Sequence, residues 1–368
     1  MSVTGDVVVI GGGVVGSACA WALSRAGAAV TVIQREDTPG EAWRAAAGML
    51  AAQIEPDPDD PLLPLGLAGR AFYRETVPAL QDATGINIDL RQLGILQVAH
   101  SEADAMAFKA KVATQRQQSH HADWLEPDEV AQGWSWLPPT HGAFWSPEDG
   151  VLNPIELVAA FRADALKHGA RMVHDTAVGL DRVGDRLHGV IGERDRYAAP
   201  VVVLAGGAWA GRLSQLPRPV SVEPVRGQMA SFPCPEALAS NVVYGTKCYL
   251  LRRGDELLVG STMEHVGFDA SVTADGISGL IDRAALLHPP LAQLTPTRTW
   301  AGLRPGTPDG LPIIGIEPRL PGLWYAAGHG RNGILLAGVT ADLVARGIDG
   351  QDVAEELAAV GPTRFWDW

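Results

Sequence analysis

The tightest constraint on this chain is the run of glycines near its start. Asp6 to Ile10 (DVVVI) is a short β-branched run, the pattern of a strand buried on both faces. Gly11-x-Gly13-x-x-Gly16 follows at once. Val14 to Ala26 then reads as a helix closed by Gly27, and Ala29 to Ile33 (AVTVI) as a second buried strand. Glycines in this setting permit a tight turn, close backbone approach to a pyrophosphate, and close helix–strand packing. The helix N-terminus then faces the phosphates. The strand before and the helix after supply the context the motif requires, so the segment reads as a dinucleotide site.

The adenosine end departs from the usual pattern. An acid at the end of the second strand ordinarily meets the ribose hydroxyls. Here the strand runs into Gln34-Arg35-Glu36. Gln34 can accept a hydrogen bond from a ribose hydroxyl, but without charge. Arg35 points either to a ribose phosphate, hence NADP, or to a solvated turn. The C-terminus separates the cofactors. Leu323 to Ala327 reads as a strand, Gly328-His-Gly-Arg-Asn-Gly333 as a turn, and Ile334 to Arg346 as a helix. A second helix N-terminus with free N–H groups suits the electron-rich pyrimidine edge of a reduced flavin. A nicotinamide enzyme needs no such turn, although an ordinary strand–helix connection would look the same.

Between these ends the pattern alternates. Residues 38–60 are irregular around an Ala-rich centre, and Leu62 to Ala83 is helical. Ile86 to Ala99 alternates apolar and polar residues, as strands of an antiparallel sheet do. Glu102 to Gln118 is a polar helix, and residues 133–150 are turn-rich. Asn153-Pro154-Ile155-Glu156 is a helix start: a capping residue, a first-turn proline, and an acid three residues after the cap. The helix ends at Gly169. A strand near 171–174 and a hairpin to Ile191 follow, then the apolar strand Val201 to Ala205. Alternating strands fill Val220 to Thr262, and 273–288 is helical. Buried parallel-type strands at three separated places imply one α/β unit built from several segments, with a mixed-sheet unit inserted between them.

Composition narrows the function classes. With 29 Lys+Arg against 42 Asp+Glu the formal charge is −13, which argues against nucleic acid and anionic membrane surfaces as partners. Three cysteines (Cys19, Cys234, Cys248) make no disulfide framework and no C-x-x-C pair, which fits a reducing cytoplasm. Met1 to Asp6 has no positive charge and glycines interrupt the apolar run after it, so neither a signal peptide nor a membrane helix is expected. The histidines, His120-His121 included, have no metal-ligand spacing. Trp134, Trp136 and Trp145 read as packing.

Several stretches together are familiar: VVVIGGGVVGSACAWAL at the start, AAAGML (45–50), DGVLNP (149–154), VVVLAGGAWAG (201–211), VRGQM (225–229), LVGSTMEH (258–265), WAGLRPGTPDGLPIIG (300–315) and AAGHGRNGILLA (326–337). They resemble, in order and over essentially the whole chain, the D-amino-acid-oxidase-type flavoproteins. Within these they are most similar to the glycine oxidases linked to thiamine biosynthesis. The resemblance implies an α/β fold with a glutathione-reductase-type FAD domain and an interleaved antiparallel-sheet substrate domain. Residues 1–84, 150–219 and 300–368 would form the first, and 85–149 and 220–299 the second. It implies non-covalent FAD, a small amino-acid substrate, oxygen as electron acceptor, and a homo-oligomer, commonly a tetramer.

By position the resemblance places Gly11, Gly13, Val14, Val15 and Gly16 at the pyrophosphate. Gln34 and Arg35 would lie at the adenosine ribose, and Val178 on the adenine side. Ala42, Trp43, Ala47, Gly48 and Met49 would lie along the flavin. His329, Gly330, Arg331, Asn332, Gly333, Ile334 and Leu335 would wrap its pyrimidine end. Tyr249, Arg304 and Arg331 would face the substrate, with Met263 nearby. Lys247 stands where one branch of the family has histidine near the pocket mouth, and its ammonium would favour a second anionic group on the substrate; a solvated strand lysine is the alternative.

The residue types fit that chemistry. A carboxylate is best held by a guanidinium fork, and Arg304 beside a Pro-Gly turn is the candidate clamp. Tyr249 can donate its hydroxyl to the same carboxylate, or be a half-buried strand tyrosine. Arg331 serves either the carboxylate or the flavin edge. The expected reaction is hydride transfer from the substrate Cα to flavin N5. Hydrolysis of the resulting imine gives a 2-oxo acid (glyoxylate from glycine) and ammonia, and oxygen becomes hydrogen peroxide. D-Amino acids and N-methyl amino acids such as sarcosine, with an oxidase or a dehydrogenase, are the alternative.

Overall fold

A computed structural model describes residues 2–36, 38–236, 238 and 240–365. The apolar runs read above become the centre of a six-stranded sheet. Its order is Ile313–Ile316, Leu323–Ala327, Val201–Leu204, Val7–Ile10, Val30–Gln34 and Arg171–His174. The first pair is antiparallel and the others are parallel. Successive side chains of a strand point to opposite faces. Val7 and Val9 therefore enter one core with the helices, and Val8 and Ile10 enter another. Both faces are covered, which is why these strands carry no polar alternation.

Helix Val14–Arg25 packs against helices Pro154–Lys167 and Gly333–Ile348, and the latter also against Leu62–Thr84. Asn153 caps Pro154–Lys167 by accepting from the Ile155 N–H at 3.1 Å. The second core lies under a four-stranded sheet in the order Ser2–Thr4, Arg196–Ala198, Arg186–Gly192 and Ala177–Val183.

An eight-stranded sheet forms the other layer. Its order is Arg298–Gly306, Glu223–Pro233, Glu256–Gly260, Cys248–Arg253, Val242–Gly245, Ile95–Val98, Ala143–Ser146 and Asp123–Leu125. All neighbours are antiparallel except Val242–Gly245 with Ile95–Val98. Helix Ala274–Ala285 covers one face, where Cys248, Leu250, Ala230 and Val259 point. The alternate residues Tyr249, Leu251, Met229 and Leu258 point to the opposite face. That parity aims Tyr249 and Met229 at the site described below.

Two expectations are corrected. Only Ile95–Val98 of the stretch 86–99 is a strand, and one of its partners is parallel. Positive φ at Gly85, Asp89 and Gly94 breaks the extended geometry before it. Within the turn-rich region, Ala143–Ser146 pairs on both sides as an internal strand. Its Trp145 ring packs at a tilt of 58° against Trp134, with centroids 5.5 Å apart, as the packing reading has it. No helix among the described residues is long and apolar enough to cross a membrane.

Candidate active site

A cavity of about 480 Å³ runs between the two large sheets, from the glycine turn to the face that carries Tyr249 and Arg304. Its first end is built by the turn itself. A Cβ on Gly16 would fall 1.8 Å from the Gly11 carbonyl oxygen, so helix Val14–Arg25 starts hard against the strand end. Gly11 has φ +101°, a conformation L side chains rarely adopt. Gly13 is the N-cap and no side chain caps this helix, so its first N–H groups are turned to the cavity. Helix Gly333–Ile348 likewise begins at the cavity without a side-chain cap. Two helix N-termini thus meet one space, an arrangement that favours negative charge in it.

Gln34 is the last residue of its strand and lines the cavity, with its amide packed over Gly12. Arg35 lies over the Trp209 ring, 4.4 Å from its centroid, and burial lowers its pKa. Val178 lines the same end. Trp43 presents its pyrrole edge to Gly13, and its buried indole N–H has no acceptor among the described residues.

The middle of the cavity is the Ala-rich stretch. The eight-stranded sheet fixes it from behind: Arg253 donates to the Ala47 carbonyl, and the Trp300 indole donates to the Ala45 carbonyl at 3.1 Å. Ala42, Trp43, Ala47, Gly48 and Met49 all line the space.

At the far end, the pairing of Val225 with Arg304 sets the arginine opposite Gly227's strand. A Cβ on Gly227 would lie 2.1 Å from Arg304 Nη1, so only glycine leaves room for this guanidinium. Arg304 donates to Ser261 Oγ at 2.6 Å and to the Thr262 carbonyl at 3.1 Å. It forms no ion pair among the described residues, and burial holds its pKa below the ordinary arginine value. A buried guanidinium with only neutral acceptors is set to take an anion. The Tyr249 hydroxyl lies 3.2 Å from Met229 Sδ, a weak acceptor, and burial pushes the phenol up to about 12. It is therefore a neutral donor at working pH.

Arg331 is different. Its Nη2 donates to Glu55 Oε1 at 2.7 Å, and the Tyr244 hydroxyl donates to the same oxygen. Glu55 raises the pKa of Arg331, and burial together with that carboxylate drives the Tyr244 phenol well above its usual value. His329 is buried, its Nε2 is 3.0 Å from Thr340 Oγ1, and burial pushes its pKa down to about 4. It is a neutral imidazole inside the turn.

Of the residues singled out from the sequence, Gly11, Gly13, Val14, Val15, Gln34, Arg35, Val178, Tyr249 and Arg304 line this one cavity. So do His329, Gly330, Arg331, Asn332, Gly333 and Ile334. Three do not. Gly16 is turned into the helix–strand contact rather than toward the phosphate site. Leu335 packs against Gly66 and Gly69 on helix Leu62–Thr84. Met263 is 57% exposed on the loop after Gly260, because its neighbours Thr262 and Glu264 bond inward to the strand that carries Gln228 and Arg226. Lys247 is also outside the cavity: it sits exposed, with φ +56°, in the two-residue turn between Gly245 and Cys248. The reading missed Glu55, Tyr244, Met229 and Ser261. Glu55 lies in an acidic, proline-rich loop that looks like ordinary solvated chain, and only the fold turns it inward. No group of three His, Cys, Asp or Glu side chains among the described residues is placed to hold a metal ion.

A glycine cradle, a second helix N-terminus on the same cavity and an unpaired indole donor beside the cradle fit a dinucleotide cofactor whose far end lies near Arg304. The class is therefore a dinucleotide-dependent oxidoreductase. The family described as FAD dependent oxidoreductase matches residues 6–346, and the chain belongs to it. Its cofactor is FAD, and it has the glycine oxidase fold. The chain is 35% identical to glycine oxidase of Geobacillus kaustophilus over 98% of its own length and 97% of that protein. The crystal structure of glycine oxidase from that organism superposes with a TM-score of 0.92 at 34% identity, covering 98% of this chain and 99% of that one. The hydrogen cyanide synthase subunit HcnC of Pseudomonas aeruginosa is 30% identical over 99% of this chain and 97% of its own. Iminodiacetate oxidase from Chelativorans sp. BNC1 superposes with a TM-score of 0.88 at 25% identity, covering 97% and 98%.

Proposed function

We propose that the protein is an FAD-dependent amino-acid oxidase acting on glycine or another small amino acid. The observation that carries this reading is Arg304: a buried guanidinium beside a neutral tyrosine hydroxyl, at the end of the cavity opposite the phosphate cradle. Arg304 holds the substrate carboxylate through its fork, and Tyr249 donates to the same group. Ser261 and the Thr262 carbonyl keep the fork in one orientation, which places the substrate rather than merely attracting it. The Gly11–Val15 cradle and the Gly328–Gly333 turn would hold FAD, which would supply two-electron acceptor chemistry for oxidation of the amine at Cα with oxygen as final acceptor; hydrolysis of the product imine would give glyoxylate (from glycine) and ammonia.

The same proposal divides the chain into an FAD-binding part (1–84, 150–219, 300–368) and a substrate part (85–149, 220–299). The two large sheets support it, with strand Arg298–Gly306 crossing the boundary at 300. A cytoplasmic homotetramer with a role in thiamine biosynthesis completes it, supported by the cysteine usage and the family resemblance. A second reading, oxidation of D-amino acids or of secondary amines such as sarcosine, is supported by the likeness to iminodiacetate oxidase.

Anaerobic addition of glycine, sarcosine or D-alanine to the yellow holoprotein tests the proposal. Bleaching of the flavin band, with peroxide on readmitting air, is the expected result. A flavin that no amino acid bleaches would overturn it.

A further inference from the structure

The substrate end of the cavity contains two guanidinium groups and one carboxylate. Arg304 meets only neutral acceptors, whereas Arg331 is paired with Glu55 at 2.7 Å. The Tyr244 hydroxyl donates to the Glu55 oxygen that Arg331 already holds. Glu55 is also held by its backbone. The preceding N–H groups of Ala52, Gln53 and Ile54 all donate to buried Asp149, at 3.1, 3.1 and 3.2 Å. Asp149 is itself paired with buried Arg70 at 2.7 Å, and Lys111 donates to the Ile54 carbonyl at 2.7 Å. A charged scaffold buried this deeply fixes the carboxylate on Arg331 instead of leaving it to a mobile loop.

Space is available beyond the pair. A second cavity of about 180 Å³ shares Glu55 and Arg331 with the first and is lined further by Pro56, Asp60 and Leu62. A substituent larger than hydrogen on the substrate therefore has room on that side. The charges there are wrong for a second acid: Glu55 cancels Arg331, and Asp60 adds another carboxylate. Size does not bar an acidic substituent; electrostatics does.

We infer that Glu55 is a specificity-determining residue that masks Arg331, so that the site takes amino acids with one carboxylate and rejects those with a second acidic group. The inference rests on the amino-acid-oxidase reading and names its substrate class. It also reverses the expectation attached to Lys247, which lies outside the cavity.

The test is ligand binding to the holoprotein, read as the change in the flavin absorption spectrum with acetate and with succinate. In the unaltered protein acetate perturbs the flavin and succinate binds more weakly. In Glu55→Gln the succinate-to-acetate affinity ratio rises by about tenfold, the effect of one unmasked charge-assisted contact. In the double variant E55Q/R331M that gain disappears. A ratio unmoved by Glu55→Gln, or a gain that survives the loss of Arg331, overturns the inference. If Glu55→Gln sheds its flavin, R331M alone decides. It exposes the Glu55 carboxylate, so acetate weakens about tenfold, and unchanged acetate binding refutes the masking role. If no carboxylate perturbs the flavin of the unaltered protein, it is the amino-acid-oxidase reading that fails.

Discussion

Arg304 donates to Ser261 Oγ at 2.6 Å and has no carboxylate partner among the described residues, whereas Arg331, at the same end of the cavity, is paired with Glu55 at 2.7 Å. Keeping one cation buried and unpaired is costly unless a ligand compensates it. The two arginines share a side chain and differ in their partners.

Arg304→Ala is expected to raise KM for amino acids while FAD stays bound. Loss of charge-assisted hydrogen bonds costs about 1.5–3 kcal/mol, or roughly 10- to 150-fold. Steady-state kinetics alongside the flavin spectrum check it. Unchanged kinetics would remove Arg304 from the substrate site.

Gln34 ends its strand over Gly12 and lines the cavity beside the glycine cradle, where the adenosine ribose of FAD would lie. Gln34→Glu should tighten FAD by roughly threefold to tenfold, because a carboxylate accepts a hydroxyl hydrogen bond more strongly than an amide does. Titration of the apoprotein with FAD, followed by quenching of flavin fluorescence, measures this. An unchanged Kd would leave Gln34 without a role at the ribose.

Gly16→Ala places a methyl 1.8 Å from the Gly11 carbonyl oxygen. The turn must open, at a cost of about 1–3 kcal/mol. Thermal unfolding should show a lower Tm, with FAD affinity falling in parallel because the cradle and the helix start are one unit. A normal Tm with normal FAD binding would contradict the packing described.

His329 carries a pH dependence whose sign is fixed. Its pKa in the folded protein is about 4, against 6.5 for the free side chain. The unfolded chain therefore binds the proton first, and stability falls as pH drops from about 6.5 toward 4. Holoprotein melts across that window should show the loss, with a shallower slope for His329→Asn. Equal slopes would mean that the imidazole is not held neutral.

The two glycine turns were legible in the sequence because each depends on neighbours in the chain. A buried strand, glycines and a helix start lie within a few residues of one another, and no distant contact is needed to recognise them. The family motifs added Arg304 and Tyr249 for the same reason, since each lies inside a continuous stretch. The third glycine, Gly16, serves the close helix–strand packing that the motif also implies, set hard against the Gly11 carbonyl. Met263 on its loop and Lys247 in its turn both lie outside the cavity, as the solvated alternative for Lys247 has it; spacing in the chain does not show which way a loop or turn residue faces.

What the sequence by itself determined is the set of local elements and the cofactor cradle. What only the tertiary structure decided is charge pairing. Glu55 and Arg331 are 276 residues apart, and nothing in the acidic loop around Glu55 marks it as an inward residue. The buried Arg70–Asp149 pair anchors the chain just before Glu55, and the closing of the two sheets brings Arg331 to it. Long-range electrostatics depends on distances in space, and those exist only once the chain has folded.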